Sequence, residues 1–331
     1  MKRSSLQYLA LLLLLLTACN GQNKHNTAVA TNSAIQAQAQ TITFDANKAF
    51  EYTKAQVDFG PRVPNTAAHQ ACADYLVSTL EQLGADVEIQ EFSAEGYDAT
   101  LWQGKNIIAS YLPEEKDRII LCAHWDSRFI AEHDEDENLQ KTPIDGANDG
   151  ASGVGVLMEI ARQLQIKTPN IGVDIILFDV EDQGAPFYAA TVENEDSWCL
   201  GSQHWASEAK KEGYKARWGI LLDMVGASDA VFMKEQISSY YAKDFVNYVW
   251  DKAIQIGHGD YFVDKRGGVV TDDHLYVNRI AEIPCIDIID YDDQRGGFNH
   301  TWHTQDDNIE NIDKNTLKAV GEVLLAVIYE Q

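Results

Sequence analysis

The chain has 331 residues, of which 45% are hydrophobic, and its 26 Lys and Arg against 51 Asp and Glu give a formal net charge of −25. This hydrophobic content is sufficient for a large core and excludes a chain that is disordered throughout. The excess of negative charge excludes nucleic acid as a partner, because phosphate contacts need a surface rich in Lys and Arg.

The first residues form a targeting segment. Lys2 and Arg3 provide a positive end, and residues 9–16 are a Leu-rich run too short for a membrane-spanning helix of about 20 residues. The Leu-Thr-Ala-Cys sequence that ends at Cys19 resembles a bacterial lipobox. We therefore expect residues 1–18 to be a lipoprotein signal peptide, and the protein to be exported to the periplasm and tethered to a membrane by a lipid on Cys19.

The region after Cys19 differs in composition from the rest of the chain. Residues 19–42 are rich in Asn, Gln, Ala and Thr and have little apolar periodicity, which predicts a flexible tether. No linker or internal repeat divides residues 43–331. We therefore predict a single domain over that range.

Periodic patterns alternate along this domain. Apolar residues at helical spacing predict helices over residues 65–83, 153–164, 238–256 and 317–328. Short apolar runs predict strands over residues 87–92, 106–111, 118–123, 173–180, 218–225 and 283–289. Alternation of strands and helices predicts an α/β fold, a three-layer α/β/α domain with a central mixed, largely parallel sheet.

Acidic and His-containing clusters lie at the ends of the predicted strands, where open α/β sheets bind ligands. They occupy residues 122–128 (CAHWDSR), 145–153 (DGANDGASG), 180–184 (VEDQG), 222–226 (LDMVG), 271–274 (TDDH) and 300–308 (HTWHTQDDN). One Asp before a helix is usually a cap, but six clusters at strand ends are not explained by capping. Carboxylates and imidazoles without thiolates suit zinc in a catalytic site, where three protein ligands leave one position open.

With these motifs the chain resembles the zinc-dependent glutaminyl cyclases of the animal type and their bacterial relatives, within the zinc aminopeptidase-like superfamily. The resemblance extends from about residue 59 to residue 308, through FGPRVP, AHWDSR, DGANDGASG, FDVED, SWCLGS, LLDMVGA, DDH and WHTQDDN in the family's order. It implies a glutaminyl-peptide cyclotransferase, an acyltransferase that converts the N-terminal Gln of peptides and exported proteins to pyroglutamate and releases ammonia.

The resemblance also implies a metal site. It assigns one zinc ion per chain to Asp149, Asp182 and His303, although Asp182 stands where a Glu is common. It gives Glu181, beside Asp182, the acid–base role of moving the proton from the attacking amine to the leaving nitrogen.

Other residues are assigned to the surroundings of the metal by the same resemblance. Asp223 and Asp272 resemble a pair of buried acids that the family joins by a hydrogen bond. Trp302 resembles a residue that forms a wall of the substrate pocket. For a second aromatic wall, Phe187 and Tyr188 are the nearest candidates, and the sequence does not choose between them.

The alternative is a zinc aminopeptidase that removes N-terminal residues. It would bind a second metal through His124 and Asp223, bridge the two ions with Asp149 and use Glu181 to activate a water. Related aminopeptidases carry Ser-Asp-His where this chain has Asp272-Asp-His. A proton shared with Asp272 would make Asp223 less available to a second metal, which favours the cyclase. A metal-free binding module is disfavoured, because no cluster member is replaced by an apolar residue.

Two further features are expected to be structural. Residues 132–137 hold five carboxylates in six positions but lack the Gly and the alternating ligands of a calcium loop, so we expect a solvated surface segment. The four cysteines that follow Cys19 are widely spaced without a CxxC motif, and we expect them to be structural: Cys72, Cys122, Cys199 and Cys285.

Overall fold

The computed structural model describes residues 42–330, apart from the side chain of Glu195. The predicted signal peptide, the lipidation site and nearly all of the predicted tether lie outside the described residues and stay predictions. Among the residues described, no helix combines the length and the apolar character needed to cross a membrane.

A mixed six-stranded sheet forms the centre of the described chain. In chain order the strands are β1 (Asp86–Glu95), β2 (Leu101–Tyr111), β3 (Arg118–His124), β4 (Gly172–Phe178), β5 (Gly219–Asp223), β6 (Phe232–Lys234), β7 (Phe262–Arg266) and β8 (Cys285–Ile289). The order across the central sheet is β1-β2-β4-β3-β5-β8, while β6 and β7 form a separate parallel pair. Strands β4, β3, β5 and β8 run parallel, whereas β1 and β2 are antiparallel to their neighbours, which confirms the predicted mixed sheet.

Helices cover both faces of this sheet. They are α1 (Ala46–Val57), α2 (Ala67–Gln82), α3 (Ala151–Ile166), α4 (Leu200–Glu212), α5 (Gln236–Gln255), α6 (Asp273–Tyr276) and α7 (Lys314–Tyr329). Because side chains alternate along a strand, Ile119 and Leu121 of β3 enter the core shared with α1, α2, α3, α5 and α7. Ile120 and Cys122 enter a second core with α4 and the π-helical turn Val277–Ala281 that continues α6. The predicted three-layer architecture is confirmed.

Two helices have buried faces without the apolar periodicity used for prediction. In α1 the buried residues include Thr53 and Gln56, whose side chains hydrogen-bond to backbone carbonyls of Ala49 and Ala151. In α4 the buried face is mostly small residues around Trp205. A helix whose buried face consists of polar or small residues shows no hydrophobic periodicity in the sequence, and for this reason neither helix was predicted.

The parallel strands bring their carboxyl ends to one edge of the sheet. Strands β3 and β5 end at His124 and Asp223, and β4 ends one residue before Asp179. The loops that leave this edge carry the remaining acidic clusters, as expected of an open α/β sheet.

Candidate active site

Three buried residues from separate loops come together at this edge: Asp149, Asp182 and His303. The Nε2 atom of His303 lies 3.1 Å from Oδ1 of Asp182 and 3.6 Å from Oδ2 of Asp149. One potential ligand atom of each residue lies within 4.8 Å of the other two. The structure thus brings together the three residues predicted as zinc ligands.

The donor set suits zinc. It consists of carboxylate oxygens and an imidazole nitrogen, and three protein ligands are what a catalytic zinc site uses. Within the described residues, Oδ2 of Asp182 is buried without a hydrogen-bond partner, which is costly unless a cation or proton occupies it. The chemistry of these residues therefore fits the metal that the sequence predicts.

A tight turn places Asp149 at the start of α3. Gly150 follows it with φ +93°, and a Cβ atom there would lie 2.7 Å from the backbone oxygen of Asp126. The carboxylate of Asp307 accepts hydrogen bonds from the backbone N–H groups of Asn148 (2.6 Å) and Asp149 (3.1 Å). Glycine and Asp307 together orient the Asp149 carboxylate.

Asp126 orients the turn that carries Glu181 and Asp182. Its carboxylate accepts hydrogen bonds from the backbone N–H groups of Glu181 (3.1 Å) and Asp182 (3.2 Å) and from the Gln183 side chain (2.9 Å). Val180, just before them, has φ +56°, a conformation that β-branched residues rarely adopt. Asp126 thus stabilises a strained turn, as is common at functional sites.

Glu132 supports His303 from behind. Its Oε1 atom lies 3.2 Å from Nδ1 of His303, and Arg128 forms an ion pair with it at 2.5 Å. Burial acts to raise the pKa of Glu132, but its contacts with His303 and Arg128 and the charges of these two residues outweigh it and lower the pKa to about 2. The expectation of a solvated segment is wrong for Glu132, which is only 9% exposed, although residues 135–137 are exposed.

Mutual charges shift the pKa values within the metal set. Burial and the charge of Asp149 raise the pKa of Asp182 to about 6. Burial acts to lower the pKa of His303, but the charge of Asp182, the hydrogen bond to Asp182 and the nearby Glu132 carboxylate outweigh it and raise the pKa to about 9.

A second set of potential ligands adjoins the first and shares Asp149. The Nε2 atom of His124 lies 3.0 Å from Oδ1 of Asp149 and 3.1 Å from Oδ1 of Asp223. Burial and the charge of Asp149 raise the pKa of Asp223 to about 7. The five residues of both sets are therefore arranged as the aminopeptidase alternative requires, and ligand positions alone do not exclude it.

Glu181 lies beside the metal set but outside both ligand groups. It is buried, and the Cys199 thiol donates to its Oε1 atom at 3.2 Å. Burial, with the charges of Asp182 and Asp272, raises its pKa well above the usual range of a Glu. Cys199, predicted to be structural, therefore also contacts the proposed acid–base residue.

The surroundings of Asp272 differ from the predicted hydrogen-bonded pair of acids. Within residues 42–330 no hydrogen bond joins it to Asp223, whose side-chain partner is His124. Burial, with the charges of Asp272 and Asp223, raises the pKa of Asp287 well above its usual range. Burial also raises the pKa of Asp272. Asp223, Asp272 and Asp287 thus form an acid cluster that cannot fully ionise near neutral pH.

A cavity of about 380 Å³ opens above these groups. Trp302 lines it, with its ring centroid 3.9 Å from that of His303, and Trp198 lines it from another side. Phe187 and Tyr188 are 72% and 67% exposed and do not line it. Trp198 therefore provides the second aromatic wall, and its place in the SWCLGS motif was the available signal. Other apolar or aromatic residues of the wall are Met224, Val269, Val270, Ile289, Tyr291 and Phe298.

Comparison with known protein families identifies the family of this chain. Residues 106–328 match the model of Peptidase family M28. The chain belongs to this family. Membership agrees with the zinc aminopeptidase-like fold predicted from the sequence and with a buried carboxylate–imidazole site at the carboxyl edge of the sheet.

Relatives of known structure or name divide between two activities. A Bacteroides thetaiotaomicron glutaminyl cyclase solved with N-acetylhistamine is 52% identical at a TM-score of 0.85, covering 88% of this chain and 99% of that chain. A Zn-dependent exopeptidase from Parabacteroides distasonis is also 52% identical at a TM-score of 0.85, and the match covers 88% of this chain and 99% of that chain. The Drosophila melanogaster glutaminyl-peptide cyclotransferase is 27% identical over 283 residues, 77% of this chain and 73% of that protein. The predicted resemblance to glutaminyl cyclases is confirmed.

Proposed function

We propose that the protein is a zinc-dependent glutaminyl-peptide cyclotransferase, which converts N-terminal Gln to pyroglutamate and releases ammonia. The observation that carries the proposal is that Glu181 and Asp272 lie beside the metal set, in one cavity with an aromatic wall. The 52% identity to a bacterial glutaminyl cyclase over 88% of the chain supports it.

Asp149, Asp182 and His303 would hold one zinc ion. When bound, zinc acts as a Lewis acid that polarises the carbonyl of the substrate's side-chain amide. His124 lies close to both Asp149 and Asp223, so these three residues could hold a second zinc ion. The proposal of one zinc ion per chain therefore requires that Asp223 does not bind a metal.

Glu181 moves the proton in this scheme. The α-amine of the substrate, with a pKa near 8, attacks the side-chain carbonyl carbon, and Glu181 accepts the proton that the amine loses. The bond between that carbon and the amide nitrogen then breaks, and Glu181 returns the proton so that the nitrogen leaves as ammonia. One C–N bond forms and one breaks, and no water is consumed. The raised pKa of Glu181 suits a group that must both accept and donate a proton.

The aromatic walls contribute by positioning. Both reacting groups belong to one Gln residue, so the cavity needs only to fold the side chain back onto the amine. Trp302 and Trp198 give two flat apolar surfaces against which the methylene groups of the Gln side chain pack. These surfaces also exclude water, which would otherwise hydrolyse the polarised amide.

A zinc aminopeptidase is the second candidate, and the complete His124–Asp149–Asp223 set favours it. The charge of Asp272 helps to keep a proton on Asp223, and a protonated carboxyl is a poor metal ligand. The acid at position 272 therefore argues for the cyclase.

One incubation separates the two activities. Purified protein is given Gln-Ala-Ala and Leu-Ala-Ala, and ammonia and free amino acids are measured in parallel. We expect ammonia from Gln-Ala-Ala alone, with no free amino acid from either peptide. Release of free Gln or Leu without ammonia would overturn the proposal in favour of the aminopeptidase.

Metal analysis tests the stoichiometry. We expect one zinc per active chain, and the loss of both zinc and activity in His303→Ala. The control is His300→Ala, which removes an exposed imidazole from the same loop. Two zinc ions, both required for activity, would reject the single-zinc site.

We further propose that the protein is exported to the periplasm and anchored through a lipid on Cys19, where exported proteins with N-terminal Gln would be its substrates. The layout of residues 1–19 supports this proposal. The test is metabolic labelling with a fatty acid, followed by cell fractionation. Cys19→Ser should lose both the label and the membrane fraction, and an unlabelled parent protein in the cytoplasm would contradict the proposal.

A further inference from the structure

A second, larger depression lies beside the catalytic cavity. Its volume is about 710 Å³, and it is bounded by the first half of α5 and by β7. We call it the basic groove and define it by Lys234, Tyr240, Tyr241, Lys243, Lys265 and Arg266. These include four cations, against one acid among the lining residues, Asp264. The charge balance of the groove is therefore the reverse of that of the chain, which has 51 acids and 26 Lys and Arg.

Two of the four cations have partners within the fold. The Nζ atom of Lys234 lies 2.6 Å from Oδ1 of Asp264, and Arg266 donates a hydrogen bond to Gln236. Lys243 and Lys265 are exposed, and the described part of the chain offers neither of them an ion pair. These two ammonium groups are available to a ligand.

The groove also exposes aromatic surface. Tyr240 is 81% exposed and Tyr241 40%, and their rings pack edge to face with centroids 4.9 Å apart. Exposed Tyr side chains are common at protein-binding surfaces, because each offers a flat apolar ring and a polar tip together.

The basic groove adjoins the catalytic cavity directly. Val269, which is 64% exposed, lines both of them. The chain runs from Lys265 and Arg266 at the end of β7 through Val269 to Thr271 and Asp272, which line the catalytic cavity. A peptide whose first residue occupies the catalytic cavity therefore has the groove next to its second and later residues.

We propose that the basic groove binds the residues that follow the N-terminal Gln and selects substrates with acidic side chains there. This inference rests on the proposed cyclase function and names a substrate class for it. Lys243 and Lys265 attract the acidic side chains, and the two tyrosines contact the backbone and apolar parts. Because these charges are exposed, their attraction is screened by salt.

The test compares three peptides that differ only after the second residue: Gln-Ala-Asp-Asp, Gln-Ala-Ala-Ala and Gln-Ala-Lys-Lys. We expect kcat/KM for ammonia release to fall in that order at low ionic strength, and the differences to shrink in high salt. In the double variant Lys243→Gln, Lys265→Gln, the preference for the Asp peptide over the Ala peptide should fall by about three- to tenfold, the size of two exposed ion pairs. Charge reversal with Lys243→Glu and Lys265→Glu should make the Lys peptide the better substrate.

The control removes two positive charges elsewhere. Lys116→Gln with Lys215→Gln changes exposed lysines just before β3 and β5, at the opposite edge of the sheet, and should keep the parental preference. Equal kcat/KM for all three peptides, or a preference unchanged in the groove variants, would overturn this inference and leave the cyclase function standing. If the parent protein releases no ammonia from any of the three peptides, both the cyclase function and the proposed role of the groove are rejected.

Discussion

Oε1 of Glu132 lies 3.2 Å from Nδ1 of His303, the ring nitrogen that faces away from the metal set. A His that binds zinc through one nitrogen usually donates its other N–H to a carboxylate, which sets the tautomer and the ring orientation. Arg128 holds Glu132 at 2.5 Å and donates to the backbone oxygen of Asp182 at 2.8 Å. One buried chain of contacts thus links two of the proposed ligands.

Glu132→Gln should weaken zinc binding and activity by about 10- to 100-fold, as changes to such supporting residues commonly do. The shape is retained, but a neutral amide no longer stabilises the N–H of His303. Competition with a chelator measures the affinity, and ammonia release at saturating zinc measures the activity. Glu135→Gln, an exposed acid in the same segment, is the matched control. Parental zinc affinity in Glu132→Gln would contradict the support role.

Glu181→Gln should lower kcat by about 10²-fold or more while the protein keeps its zinc. The reason is that the amide cannot carry the proton, whose transfer is worth roughly that factor, and Glu181 lies outside both ligand sets. Ammonia release and metal content are measured on the same sample. Glu193→Gln, an exposed position before α4, serves as the control. Near-normal turnover, or loss of the metal, would remove Glu181 from this role.

Asp272→Ser restores the Ser-Asp-His pattern of related aminopeptidases and removes one member of the buried acid cluster. We expect a large loss of cyclisation, because Asp272 lies next to Glu181 and belongs to the buried acid cluster with Asp223 and Asp287. Without its charge Asp223 ionises more readily, so raised zinc should add a second ion. Metal titration and ammonia release test both outcomes, with exposed Asp260→Ser as the control. A variant that cyclises as well as the parent would exclude the acid cluster from the mechanism.

Glu235 predicts a pH dependence of stability. It caps α5 through the backbone N–H groups of Ile237 and Ser238, and its Oε2 lies 3.2 Å from Nε2 of His274. Burial acts to raise its pKa, but these hydrogen bonds and the charge of His274 outweigh it and lower the pKa from 4.5 to about 2. Since the folded pKa is depressed, the stabilisation is present above pH 4.5 and is lost as the pH falls through 2.

Glu235→Gln should therefore reduce the free energy of unfolding at pH 7 by about 3 kcal/mol. The difference from the parent should shrink as the pH is lowered toward 3, because the parent loses the same contribution. Urea unfolding at several pH values measures this, with exposed Glu137→Gln as the control. A difference that stays constant with pH would show that the cap acts without its charge.

Local patterns were sufficient for much of the fold. The strands whose side chains are apolar on both faces, such as β3, β4 and β8, were predicted to within a few residues, because burial from both sides leaves a continuous apolar run. The clusters at their ends predicted a zinc site, since parallel strands end at one edge of the sheet, and the resemblance to glutaminyl cyclases assigned that site to Asp149, Asp182 and His303. Helices α1 and α4 lacked such a pattern, because polar or small residues fill their buried faces.

The partners within the site were decided by the paths of the loops. Glu132 lies in an acidic segment whose composition predicts exposure to solvent. Only the folded path of that loop places its side chain next to His303. Trp198, rather than Phe187 or Tyr188, lines the cavity because the connection from β4 to α4 returns its end to the site and leaves its middle exposed. The spacing of residues along the sequence does not show which part of a loop comes back to the site. The distances that turn separate acids into one site are set by packing between segments far apart in the chain.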